Sequence, residues 1–343
     1  RPRASMAAPV DQSGPLRRNR AGRLRPGCTR VSPPSGATAL PSPIADGATQ
    51  QVLRKLELDV TRRLDGLLHG DHRGLVPGHG SEMGECRPYA PGDDVRRIDW
   101  NVTARMIQPH VRESIADREL EARVLVDLSP SVNFGTAVCE KRDLAVAAAA
   151  AVGFLTARAG NRFGVTVIGG ERDVDIPAKS GRPHLMASLA QLMTIRSVDG
   201  TSGTDLGLAI ERLASPVHRR GLAVVISDFQ GPVDWIPALR KLTVRHEVLA
   251  IEVVDPRERV LPDVGHLLVI DPETGARREV NTHSANVRAG FAEAARRRIL
   301  EIESALQSSG VDHLELSTDR DWLLDLAGFV DTRRRRRERR AGG

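Results

Sequence analysis

Asp127-Leu-Ser129-Pro-Ser131 sets one carboxylate and two hydroxyls at alternate positions, directly after the apolar run Arg123-Val-Leu-Val126. The run predicts a short buried strand, Arg123 to Val126, that empties into a loop of small polar residues. Alternate residues of an extended segment point the same way, so the three oxygens can converge just beyond the sheet edge. Three hard oxygens, one of them charged, suit Mg²⁺, which accepts hydroxyl and water ligands. The crevice at the carboxyl ends of parallel strands is also where open α/β sheets place their ligands. Two further segments offer oxygens at loop positions: Thr204 before a helical stretch, and Asp228 at the end of the apolar run Gly221–Ser227. The plainer alternative is that Asp127 and its hydroxyls only cap the following helix, a common role for Asp and Ser.

Enzyme readings fare less well. A Mg²⁺-dependent phosphohydrolase of the aspartyl-phosphate kind also begins with a strand ending in Asp. It needs an acid/base carboxylate two residues on, where this chain has Ser129, and no Lys stands in a suitable loop before Asp228. Ser129 and Ser131 lack the Gly-x-Ser-x-Gly setting of a serine hydrolase. His69, His72 and His79 lie in a Gly-rich stretch without a Cys or carboxylate at helical spacing, which reads as a solvated loop rather than a zinc site. Cys28, Cys86 and Cys139 form neither a metal spacing nor an even disulfide set. No catalytic residue is assigned, and the expectation is a non-enzyme.

The elements that must position these oxygens follow from the hydrophobic pattern. From Arg123 to about residue 330, apolar strand-like runs alternate with helical ones. That predicts βαβ units and an α/β, doubly wound, mostly parallel sheet with helices on both faces. An amphipathic helix is expected over Gln51–Leu68, and a smaller β-containing region over about 69–122. The expected organisation is a disordered Arg/Pro/Ser-rich tail (1–48), a helix and signature region (49–122), the α/β domain (123–330) and a disordered Arg-rich tail (331–343).

Net charge is +6, with 50 basic against 44 acidic residues, but the excess is unevenly placed. Residues 1–48 hold eight Arg and two Asp, and residues 333–343 hold seven Arg and one Glu. The remaining body is mildly acidic, so the basic balance does not argue for a nucleic-acid groove; tail binding to nucleic acid would be non-specific and salt-sensitive. The longest apolar run, Leu144 to Leu155, falls short of the ~18 residues of a membrane span. With no membrane span and no evident signal peptide, a soluble cytoplasmic protein is expected.

One block stands out for its density of charge: Arg87-Pro-Tyr89-Ala-Pro-Gly92-Asp93-Asp94-Val-Arg-Arg97-Ile-Asp99-Trp100, continuing to Arg105. On residue types alone it is either an ion-paired clamp, with Arg forks holding carboxylates, or a recognition surface. This block resembles the signature of a bacterial family, the domain-of-unknown-function fifty-eight family. Asp255-Pro-Arg-Glu258 with Leu261-Pro262 resembles a second block of it. Pro88 departs from a usual Glu there, and Val132 from a usual Met.

The oxygen-bearing residues themselves resemble the metal-ion-dependent adhesion site of a von Willebrand factor A-like domain. Asp127, Ser129 and Ser131 match its first element, Thr204 its middle Thr (Thr201 being the fallback), and Asp228 its last Asp. The resemblance implies a non-catalytic, divalent-metal-dependent module that holds Mg²⁺ (or Mn²⁺) and leaves one coordination position for a partner's Glu or Asp. It also implies a MoxR-type AAA+ ATPase as partner, beside an acidic-residue-bearing protein client, with no small-molecule substrate and no specific nucleic acid.

Overall fold

The structure is a computed structural model that describes residues 46–67, 86–90, 95, 98–106, 108–112, 120–196, 205–214, 220–272 and 274–341. The chain begins with α1 (Asp46–Leu67), followed by an antiparallel ribbon of β1 (Cys86–Pro88) and β2 (His110–Arg112) with α2 (Trp100–Met106) between them. Then come β3 (Glu121–Asp127), α3 (Lys141–Arg158), β4 (Arg162–Ile168), β5 (Val174–Lys179), α4 (Arg182–Thr194) and α5 (Leu206–Ala214). The second half contains β6 (Leu222–Ser227), α6 (Ile236–Thr243), β7 (Glu247–Val254), β8 (His266–Ile270), β9 (Arg277–Asn281), α7 (Ala285–Ser308), β10 (Asp312–Ser317) and α8 (Trp322–Ala341).

Six strands form the central sheet in the order β10-β7-β6-β3-β4-β5. All neighbours are parallel except β5, which runs antiparallel to β4 at one edge. Pro177 sits in that edge strand, where a missing N–H does no harm to the ladder. From β3 the chain winds outward to β4 and β5, then returns to lay β6 on the other side of β3. The winding direction therefore reverses between β3 and β6, whose register runs from Ala122↔Leu222 to Val126↔Ile226. A crevice opens at such a reversal, at the carboxyl ends of the two strands.

Strand periodicity sorts the core into two layers. Val124, Val126, Val224, Ile226, Leu249 and Ile251 pack on one face with residues of α1, α3, α4 and α8. Leu125, Ala223, Val225, Val248 and Ala250 pack on the other with α5, α6 and the end of α7. Each fully buried Val, Leu or Ile contributes about 1.5–3 kcal/mol of transfer free energy. Ala147 to Ala151 are all buried in α3, so this helix is apolar around most of its circumference, as a helix enclosed by sheet and neighbours must be.

The doubly wound, mostly parallel α/β architecture is as the sequence predicts. Three expectations need correction. The site strand is longer than Arg123 to Val126, because Glu121 and Ala122 already pair with Arg162 and Phe163 of β4. The boundary at 122/123 is not a boundary for the first helix, since Leu53, Leu56 and Val60 of α1 belong to the main core. The Arg-rich end is not a disordered tail from 331: α8 continues to Ala341. Arg333 is buried there, with Nη2 3.0 Å from Glu247 and Nε 2.7 Å from Asp312, which ties α8 to the starts of β7 and β10. Arg334 and Arg335 both pair with Asp331 one turn earlier, which offsets the repulsion within the run.

A candidate metal-binding crevice

Asp127 closes β3, and the chain turns at once. Ser129 N donates to Asp127 Oδ1 at 2.9 Å, and Pro130–Asn133 form a single 3₁₀ turn. Ser129 Oγ and Ser131 Oγ lie 3.1 Å apart. The two hydroxyls therefore do meet, but through this turn and not through strand alternation, which ends at Asp127. Asp127 and Ser129 are buried, and Ser131 is half-buried. Gly169 holds the turn from behind with φ +75°; a Cβ there would stand 2.3 Å from Ser129 N. Only glycine allows the end of β4 to pass so close.

The other wall is the end of β6. Ser227 Oγ donates to Asp127 Oδ2 at 2.7 Å and accepts from Phe229 N at 3.1 Å. Asp228 Oδ1 accepts from Gln230 N at 3.2 Å. Phe229 is held at φ +51°, an uncommon and strained conformation for a bulky residue. It stays there because its ring is buried edge-on against Trp235, 5.2 Å between centroids, and Arg298 Nη2 donates to its carbonyl at 2.7 Å. The strain fixes where Asp228 projects.

Behind both walls lies a group that sequence reasoning missed. Lys141, the first residue of α3, is fully buried. Its Nζ donates to Asp228 Oδ2 at 2.8 Å and to Glu258 Oε1 at 2.5 Å. Burial pulls the ammonium's pKa down, but the Asp228 and Glu258 carboxylates outweigh it and hold the group above its usual value. Next to it, the 3₁₀ turn Pro256–Glu258 is closed by a capping box between Asp255 and Glu258. Asp255 accepts from Thr136 N, Thr136 Oγ1, Arg257 N and Thr318 Oγ1, at 2.6–2.9 Å. The Asp-Pro-x-Glu spacing could have revealed this box in the sequence. Nothing local marks Lys141, except that the chain has only four Lys beside 46 Arg. A compact ammonium donates along three directions and so can serve two carboxylates at once.

The electrostatics of the crevice are unbalanced. Asp127 is pushed up to about 6, first by burial and then by the neighbouring Asp228 charge, with Ser227 and Ser129 hydrogen bonds only partly offsetting this. A cation beside it would relieve the cost of keeping a buried carboxylate ionised next to a second one, and perturbed carboxylates of this kind concentrate at functional sites. The donor set (two adjacent hydroxyls, Asp127 and Asp228) fits a small hard cation such as Mg²⁺ or Mn²⁺. Among the described residues no three His, Cys, Asp or Glu side chains cluster as a metal site by themselves, so the hydroxyls are indispensable to this fit.

Helix capping, the plainer reading, fails on geometry. Ser129 stands at the N-cap position of the 3₁₀ turn but gives it no side-chain cap hydrogen bond, and the residue preceding α3 is Glu140. Thr204, like Thr201, lies outside the described residues; Asp205, just after it, accepts from Leu208 N at 2.8 Å and caps α5. Of the signature block Gly92, Asp93, Asp94 and Arg97 lie outside the described residues, and Arg87 is placed only as backbone in β1. Tyr89 N donates to Pro109 O, and Asp99 accepts from Asn101 N and Val102 N at the start of α2. Trp100 is 71% exposed and Arg105 is exposed. His69, His72 and His79 also lie outside the described residues. No helix among the described residues is long and apolar enough to cross a membrane.

Comparison with known proteins places the chain among relatives. It is 50% identical over 305 residues to the uncharacterized protein Rv1480 of Mycobacterium tuberculosis and to the uncharacterized protein Mb1516 of Mycobacterium bovis, covering 89% of this chain and 95% of each relative. Among solved structures, the conserved hypothetical protein BatB of Bacteroides thetaiotaomicron aligns with 63% of this chain and 99% of its own, at 14% identity and a TM-score of 0.36. The SpRpn10 VWA domain aligns with 62% and 95%, at 10% identity and a TM-score of 0.35. The sequence profile of one family, described as protein of unknown function DUF58, matches residues 85–300. The chain belongs to that family.

Proposed function

We propose that this protein is a non-catalytic protein-interaction module of the von Willebrand factor A-like kind, and that it docks acidic partners through a divalent cation held in the β3/β6 crevice. The observation that carries the reading is the pair of hydroxyls, Ser129 and Ser131, 3.1 Å apart at the point where the sheet reverses, flanked by two strand-end carboxylates. Ser129, Ser131 and Thr204 supply hydroxyl ligands, and Asp127 and Asp228 supply charge. Mg²⁺ or Mn²⁺ bound there supplies attraction for a foreign Glu or Asp side chain. Ser227 and Gly169 keep the hydroxyls and Asp127 in place, and the strained Phe229 turn keeps Asp228 in place. The proposed partners are a MoxR-type AAA+ ATPase and an acidic client, met in the cytoplasm.

A second reading, a Mg²⁺-dependent phosphohydrolase-like enzyme, gains one observation: a Lys does reach Asp228, from the start of α3. Its acid/base position is still Ser129, so the interaction module remains the better account. Co-purification of the full chain with a MoxR-type ATPase, in Mg²⁺ and in chelator, beside Asp127→Ala, separates the two. Capture that needs both the metal and Asp127 supports the module. Turnover of acetyl phosphate or p-nitrophenyl phosphate that Asp127→Ala abolishes, without capture, supports the enzyme.

A further inference from the structure

The interaction reading explains Asp127, Ser129, Ser131 and Asp228 but gives no role to Lys141, the most enclosed charge in the crevice. This lysine is fully buried with its ammonium on a candidate metal-site carboxylate, and it reaches Glu258 as well. Three carboxylates (Asp127, Asp228 and Glu258) share the region with that one ammonium. Fully ionised, the four groups sum to two negative charges. A divalent cation then offsets the charge of these four groups. Without Lys141 the same cation would leave one negative charge, and a crevice with residual negative charge repels a partner's Glu or Asp.

Resting on the reading proposed above, we infer that Lys141 is the specificity-determining residue of this site: a fixed cation that weakens divalent-metal binding so that the loaded crevice accepts a carboxylate. Glu258 sets the opposite bias. It holds the ammonium from the far side and adds negative charge, so its removal leaves Lys141 to act on Asp228 alone. Lys141 thus works through Asp228 and is a positioning residue rather than a ligand. Its compact head matters here, because an ammonium donates along three directions and can bridge the two acids.

The test is a calorimetric titration of Mn²⁺ into the full chain, with acetate as a second titrant into the Mn²⁺-loaded protein. Wild type is compared with Lys141→Met and Glu258→Gln, each checked for folding by circular dichroism. Lys141→Met is expected to bind Mn²⁺ about tenfold or more tightly and to lose acetate binding, while Glu258→Gln binds Mn²⁺ more weakly. These opposite signs are the signature of charge, since a merely structural defect would weaken Mn²⁺ binding in both variants. Weakening in both, or an unchanged affinity in Lys141→Met, overturns the inference while metal binding by wild type leaves the interaction reading standing. Absence of Mn²⁺ binding in wild type and both variants removes that reading and this inference together. If Lys141→Met does not fold, Lys141→Gln takes its place, and an unchanged or weakened Mn²⁺ affinity there overturns the inference.

Discussion

Two buried aspartates close two strands of the same sheet, and they behave in opposite ways. Asp255, just after β7, takes four hydrogen bonds, and although burial works to raise it, Thr136 and the other donors hold it below the usual carboxylate range. Asp127, at the end of β3, takes hydrogen bonds from Ser129 N and Ser227 Oγ, faces Asp228, and is pushed up to about 6. The chain has thus solved the problem of a buried carboxylate fully in one place and left it half-solved in another. Asp255 is a structural joint between Thr136, the Pro256–Glu258 turn and Thr318. Asp127 carries charge that the protein alone does not balance, which is the condition for binding a cation.

The contrast can be broken most severely at Asp255. Asp255→Ala leaves the hydroxyls of Thr136 and Thr318 and two backbone N–H groups without their acceptor, and the expected loss is roughly 3–5 kcal/mol, read as a large drop in thermal midpoint. The pH dependence has a definite sign. Because the folded Asp255 titrates below its unfolded value, its contribution is present above about pH 4 and is lost as pH falls through the folded value.

Gly169→Ala comes next. The added Cβ meets the Ser129 backbone and the backbone has φ +75°, so a loss of about 2–3 kcal/mol is expected, with the Ser129–Ser131 pair displaced. Chemical denaturation measures the first effect. A Mn²⁺ affinity lowered at least about tenfold, with no ligand removed, measures the second.

Asp127→Asn goes the other way. The cost of ionising a buried group near about 6 disappears, so the metal-free variant is expected to be more stable than wild type at pH 7 by ~2 kcal/mol. The same shift makes metal-free wild type less stable as pH rises. The Asp127 contribution is present below about pH 4 and lost as pH passes about 6, because the folded state holds its proton longer than the unfolded one. A melting profile across pH 4–8 should show that slope in wild type without metal and a shallower one in Asp127→Asn, where Asp143, also pushed up to about 6 by burial, still contributes.

Much of this was legible in the sequence because it depends on local pattern. Strand periodicity predicted the doubly wound sheet, and Asp127, Ser129, Ser131 and Asp228 were recognisable as oxygens at strand ends. What escaped is what depends on distance. Lys141 is 87 residues from Asp228 along the chain and 117 from Glu258, so no spacing rule joins them. Gly169 counts only because β4 passes behind Ser129, a fact of sheet packing. The Arg run was misread because net charge signals solvation, while Arg333 is buried between Glu247 and Asp312 of two different strands. In each case the deciding partner lies on another element.

The most direct measurement is a calorimetric Mn²⁺ titration of the full chain at pH 7, with wild type beside the double variant Ser129→Ala/Ser131→Ala. Those substitutions remove the hydroxyl pair but leave both carboxylates and Lys141 in place. Saturable one-site binding is expected in wild type and its loss in the double variant, with the fold of the variant retained in chelator by circular dichroism. Equal binding in the two proteins, or none in wild type, would contradict the proposed metal site.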